Sequence, residues 1–148
     1  MAKFRFRLAT LQKLRETHRD EMRSKLAEAY QAERLLDEQA DALDAEEAQL
    51  QQVHRNTLQT GTTDVNRLLD VQRYSATLKG QLATIQEQSK MLASEIEKRR
   101  LALVVADQQV RVLEKLCERQ LDAHRSSAMR AEAKIMDEIA SRPQEVDL

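Results

Sequence analysis

The chain has 148 residues, 33% of them charged and 3% aromatic, with a net charge of −1, two glycines, one proline and one cysteine. That composition argues against a disulfide-stapled fold, a cysteine metal cluster and a strongly basic nucleic-acid binder, and it leaves too few turn-forming residues for a core of many short elements. It is rich instead in Ala, Leu, Glu, Gln, Lys and Arg, whose straight side chains lose little rotamer freedom on a helix.

Both phenylalanines, Phe4 and Phe6, sit in the opening stretch "MAKFRFRLATLQKLRE", interleaved with Lys3, Arg5 and Arg7. Gln12, Lys13, Arg15 and Glu16 arrive before any apolar segment develops, so the stretch does not read as a secretion signal. A first helix is predicted near residues 5–58. Steps of seven from Leu8 meet Arg15, Met22, Ala29, Leu36, Leu43 and Leu50, so six of these seven positions are apolar. Residues 28–50 carry eight acids against one base.

The cluster "QTGTTD" then supplies the turn, at about residues 59–63. Gly61 can take the left-handed conformation past a helix end, and Thr63 or Asp64 can cap the next helix. A second helix is predicted near residues 64–141. Steps of seven from Leu68, with companions three residues on, run through Val71, Leu78, Leu82, Ile85, Leu92 and Ile96 as far as Cys117 and Gln120. A seam repeating over eight heptads argues for a coiled coil. Gly80 interrupts this helix with a residue that costs about 1 kcal/mol relative to Ala. Pro143 disfavours helical geometry at Arg142, which leaves 142–148 as a tail.

The expected fold is all-α: one hairpin domain of two long antiparallel helices, the C-terminal one longer. With the turn centred near Gly61, residue i of the first helix lies opposite residue 122 − i of the second. The acidic stretch then faces Arg73, Lys79 and Lys90. At about 1.5 Å per residue the second helix is roughly 115 Å long and overhangs its partner from about residue 119. That overhang keeps Leu121, Met129, Ile135, Met136 and Ile139, and an amphipathic segment without a partner frays. Pairing within the chain implies a monomer.

Signals for chemistry are absent. His18, His54 and His124 are scattered, Glu46 and Glu47 belong to an acidic helical face, and Cys117 falls on the seam as a small hydrophobe. No catalytic, cofactor-binding or metal-binding residues are expected, and so no enzyme. The longest apolar run, "LALVVA" at 101–106, is far below the roughly 20 residues of a membrane span, so a cytoplasmic protein without membrane insertion is expected. Residues 1–25 hold eight bases against three acids, a patch suited to an acidic protein surface rather than to nucleic acid.

The opening "FRFRLATLQKLRE", the turn near residue 61 and the terminal "VLEKLCERQ…RAEAKIMDEIA" together resemble the FliJ family of flagellar export components over nearly the full length. The E-K-L-x-E-R pattern falls on Glu114, Lys115, Leu116, Glu118 and Arg119, and the R-x-E-x-K-x-x-D-E pattern on Arg130, Glu132, Lys134, Asp137 and Glu138. The resemblance implies a stalk similar to the central shaft of rotary ATPases. Its open end would sit in a hexameric export ATPase, and it would link that ring to the cytoplasmic domain of the export gate and to export chaperones. Carried onto this chain, the ring contacts would be Phe4, Phe6, Arg119, Met129, Arg130, Lys134, Ile135 and Met136. The gate contacts would be Leu69, Tyr74 and Leu78. A stalk of a virulence-type secretion ATPase, or a structural tether without an ATPase, shares the architecture.

The seam itself yields a test. Leu82→Asp or Ile85→Asp puts an unpaired charge into the two-stranded interface and is expected to cost several kcal/mol. Circular dichroism melts should show a large loss of thermal stability, and unchanged melts would mean a different heptad register.

Overall fold

The structure, a computed structural model, describes residues 3–61 and 64–143. Two helices make up the fold, α1 at Ala9–Gln59 and α2 at Val65–Ala140, of 51 and 76 residues. They pack against each other as an all-α hairpin in which α2 is the longer. An isolated helix owes little to propensity alone, so each depends on the strip it buries against the other.

The punctuation of the chain follows residue chemistry. At the end of α1, Gly61 has φ +71°, the left-handed region open to a residue without Cβ. Asp64 caps α2: its carboxylate oxygen accepts from the Asn66 N–H at 3.1 Å and its carbonyl from the Leu68 N–H at 3.2 Å. Thr63, the other capping candidate, lies outside the described residues, as do residues 144–148 of the tail. At the far end α2 stops three residues short of Pro143, with the Ser141 N–H still donating to the Asp137 carbonyl at 2.9 Å.

The start of α1 departs from expectation: it begins at Ala9, not near residue 5. From Lys3 to Leu8 exposure alternates, with Phe4, Phe6 and Leu8 half-buried and Lys3, Arg5 and Arg7 exposed. Positions two apart face nearly opposite sides of a helix but the same side of an extended strand. Burying both rings therefore requires extended backbone. The Ala9 N–H donates to the Phe6 carbonyl at 3.2 Å, which closes the turn into the helix.

The chain divides into two compact units, each with both helices. In the unit of residues 21–103 the core is Ala29, Leu78 and Ile96, flanked by half-buried Leu26, Leu36, Leu43, Leu82, Ile85 and Leu92. In the unit of residues 1–20 with 104–148 it is Ala106, Val110 and Leu113, under Leu8, Leu11 and Arg15.

Polar seam residues mark the register. Arg15 donates to Gln109 Oε1 at 2.9 Å, Arg99 to the Lys25 carbonyl at 2.6 Å, and the Tyr74 hydroxyl to Glu46 Oε2 at 2.9 Å. The paired numbers sum to 124, 124 and 120, within two of the expected 122. These links between helices are hydrogen bonds. The ion pairs Arg99–Glu95, Arg100–Glu97 and Arg111–Asp107 each run along one helix. One heptad expectation is corrected: Gln120 is exposed and Leu121 takes its place, followed by His124 and Ala128. The steps 113–117–121 are both of four residues, a stutter that locally unwinds the seam and keeps an apolar side chain on it.

The two glycines make opposite predictions. A Cβ at either meets nothing within 4 Å, but Gly80 is helical whereas Gly61 has positive φ. Gly80→Ala should stabilise by about 0.5–1 kcal/mol and Gly61→Ala should destabilise by about 1 kcal/mol or more, both read from denaturant midpoints.

Candidate functional site: the open end of the hairpin

At the end bearing both termini, the strap at residues 3–8, which turns into α1 after Phe6, lies against the last paired stretch of α2. The rings of Phe4 and His124 meet with centroids 5.7 Å apart at 46°, a tilted aromatic contact. Helix-to-helix counting places residue 4 opposite residue 118. The actual partner is six residues further on because extended chain advances about 3.3 Å per residue against 1.5 Å for a helix. The strap thus covers α2 beyond where a helix would have ended, and seam burial continues through Leu121, His124 and Ala128 rather than stopping near residue 119.

Beyond Ala128 every residue of α2 is exposed. Met129 is 70% accessible, Met136 67%, and Ile135 and Ile139 are each 56%. At 100° per residue these four side chains, with Ala133 and Ala140, fall on one broad face that also carries Glu132, while Arg130, Lys134, Asp137 and Glu138 fall on the other. Four large apolar side chains within 11 residues, on a helix wet all round, form the kind of face that marks a docking site. Arg119 is exposed on the preceding stretch. Among the residues assigned to the ring, Phe4 and Phe6 are half-buried against their own chain, and the other six are exposed.

The three residues assigned to the gate divide. Leu69 and Tyr74 are exposed, but Leu78 is only 1% accessible and belongs to the seam core. Tyr74 is tied to α1 through Glu46, whose hydrogen bond and negative charge hold the phenol above its usual pKa. On the outer face of α2, Arg100 forks onto Glu97 at 2.7 and 3.0 Å and holds that carboxyl below its ordinary range.

Within the unit of residues 21–103 lies a cleft of about 380 Å³, lined by Leu50, Gln51, His54, Arg55, Val71, Gln72, Ser75, Ala76 and Lys79. Ser75 stands at a seam position whose heptad neighbours are Leu68 and Leu82, and its short side chain leaves the space unfilled. Inside, His54 Nδ1 is buried without a hydrogen-bond partner, an arrangement that costs about 1–3 kcal/mol when nothing relieves it. In the sequence His54 is one of three scattered histidines, and their spacing gives no sign of the cleft. The available signal was Ser in a Leu register.

The sequence model of the flagellar FliJ protein family matches residues 4–143. The chain belongs to the FliJ family. No curated protein and no solved structure matches it. Proteins of the FliJ family are flagellar export proteins, in general structural rather than catalytic components. The charged residues that carry the FliJ resemblance, Glu114, Lys115, Glu118 and Arg119 and then Arg130, Glu132, Lys134, Asp137 and Glu138, are all exposed. They are not spent on the seam. Among the described residues no helix is long and apolar enough to cross a membrane, and no group of three or more His, Cys, Asp and Glu is placed to hold a metal ion.

Phe4→Ala removes the strap's contact with His124 and should cost about 0.5–1.5 kcal/mol beyond lost area, confined to this end. In NMR spectra the His124 ring resonances should move toward those of an exposed histidine while Leu78 and Ile96 stay put. Unmoved His124 resonances would contradict the contact.

Proposed function

We propose that the chain is the stalk of the flagellar export apparatus, with its open end seated in the central opening of the hexameric export ATPase on the cytoplasmic side of the membrane. The observation that supports this reading is the bare apolar face at the end of α2, from Met129 to Ile139, on a helix that pairs along the rest of its length. Met129, Ile135 and Met136 supply apolar contacts to the ring, and Arg119, Arg130 and Lys134 guide an acidic lumen onto them. Phe4 and Phe6 act from inside, clamping the N-terminus onto α2 so that Arg5 and Arg7 face the ring wall.

The stalk performs no chemistry. It promotes assembly and activity of the ring by binding the closed hexamer better than its separated subunits, and it shifts that equilibrium only by this difference in affinity. Past the turn, Leu69 and Tyr74 meet the cytoplasmic domain of the export gate. Leu78 supports them from the seam. Export chaperones bind a further part of the surface.

A chain ending at Ala128 tests the reading. It keeps the strap contact and the whole seam, so its far-ultraviolet dichroism per residue and its melting should match those of the full chain. Stimulation of ATP hydrolysis by the cognate ATPase should fall to the unstimulated level. Equal stimulation by the two chains would remove the ring-binding end from residues 129–143.

A further inference from the structure

The cleft between α1 and α2 in the unit of residues 21–103 has a one-sided chemistry. Its polar lining consists of the guanidinium of Arg55, the ammonium of Lys79, the imidazole of His54, the carboxamides of Gln51 and Gln72 and the Ser75 hydroxyl, and no lining residue is acidic. Its apolar lining is Leu50, Val71 and Ala76. Two positive charges with several N–H donors call for an anionic acceptor, and a guanidinium is matched best by a planar carboxylate. The aliphatic lining calls for a carboxylate carried on a hydrocarbon stem. Water in the cleft can serve His54 Nδ1, but it brings no negative charge to complement Arg55 and Lys79.

We propose that this cleft is a docking site for an acidic–aliphatic segment of a partner protein, whose Asp or Glu carboxylate sits between Arg55 and Lys79 and accepts a hydrogen bond from His54 Nδ1–H. Three features on the page converge on that occupant. The lining carries net positive charge with no internal counter-ion. His54 Nδ1 is buried and unpartnered. The volume, about 380 Å³, is within the range of sites that enclose a ligand of a few side chains. The space exists because Ser75 and Ala76 are short, so the recognition point is built into the seam rather than laid on the surface. It is chemically unlike the apolar end of α2 and does not depend on the ring-binding reading.

The test uses the full chain, isotope-labelled, and the synthetic peptide acetyl-Leu-Asp-Leu-amide, with no ATPase present. Titration should move the His54 imidazole and Ser75 resonances saturably. The Asn peptide acetyl-Leu-Asn-Leu-amide should bind at least fivefold more weakly. Arg55→Ala and Lys79→Ala, both at exposed positions and checked for unchanged dichroism, should each weaken binding of the Asp peptide at least fivefold. His54→Leu should weaken it as well. Unmoved His54 resonances, equal binding of the two peptides, indifference to Lys79→Ala, or the same saturation by inorganic phosphate would each overturn the proposal, the last by reducing the cleft to an unselective anion site.

Discussion

Everything in this molecule hangs on one narrow seam. A two-stranded interface buries only a strip of each helix, so few side chains are fully enclosed: Leu78, Ala106 and Val110 are at most 1% accessible, with Ala29, Ile96 and Leu113 close behind. So thin a core tolerates little error in register, and polar residues help to set it. Arg15 against Gln109, and Arg99 against the Lys25 carbonyl, are charged groups that reach across the seam to oxygen acceptors. A slip of α2 by one heptad would bring Leu onto Leu again but would strand these donors. The leucines make the helices adhere, and the arginines make them adhere in one place.

The ends follow from the same constraint. Where α1 runs out, the seam needs another apolar partner, and the extended strap supplies it with Phe4 and Phe6 at the greater reach of extended chain. Beyond Ala128 no residue of the described chain covers α2, and its apolar face turns outward at Met129, Ile135, Met136 and Ile139. A two-stranded seam encloses little interior, so such exposed faces make up much of what the molecule offers to others.

The cleft at His54 is a second consequence of thinness. In a globular core a missing side chain leaves a closed void, whereas in a two-stranded seam a short residue opens a notch to solvent. Ser75 makes that notch, and Arg55 and Lys79 are among the residues that line it. Polar groups left on a seam are costly unless something meets them, which is why an orphaned imidazole nitrogen there carries meaning.

Much of the fold was legible in the sequence because period and punctuation are local properties. The heptads from Leu8 and Leu68, the left-handed Gly61, the Asp64 cap and the stop before Pro143 each rest on residues within a few positions of one another. The alternation of Phe4, Phe6 and Leu8 with Lys3, Arg5 and Arg7 was equally local, yet a helix beginning near residue 5 was expected. The period of two was there, but its weight depended on an apolar surface at His124, 120 positions away. The stutter at Leu121, the burial of Leu78 behind Leu69 and Tyr74, and the cleft under Ser75 are of the same kind. Local sequence determined which residues form helices and which face each buries. Only the pairing of the helices decided where the strap lies, where the seam shifts, which apolar residues stay bare and where a space is left, since each is a relation between residues that meet across the seam and not along the chain.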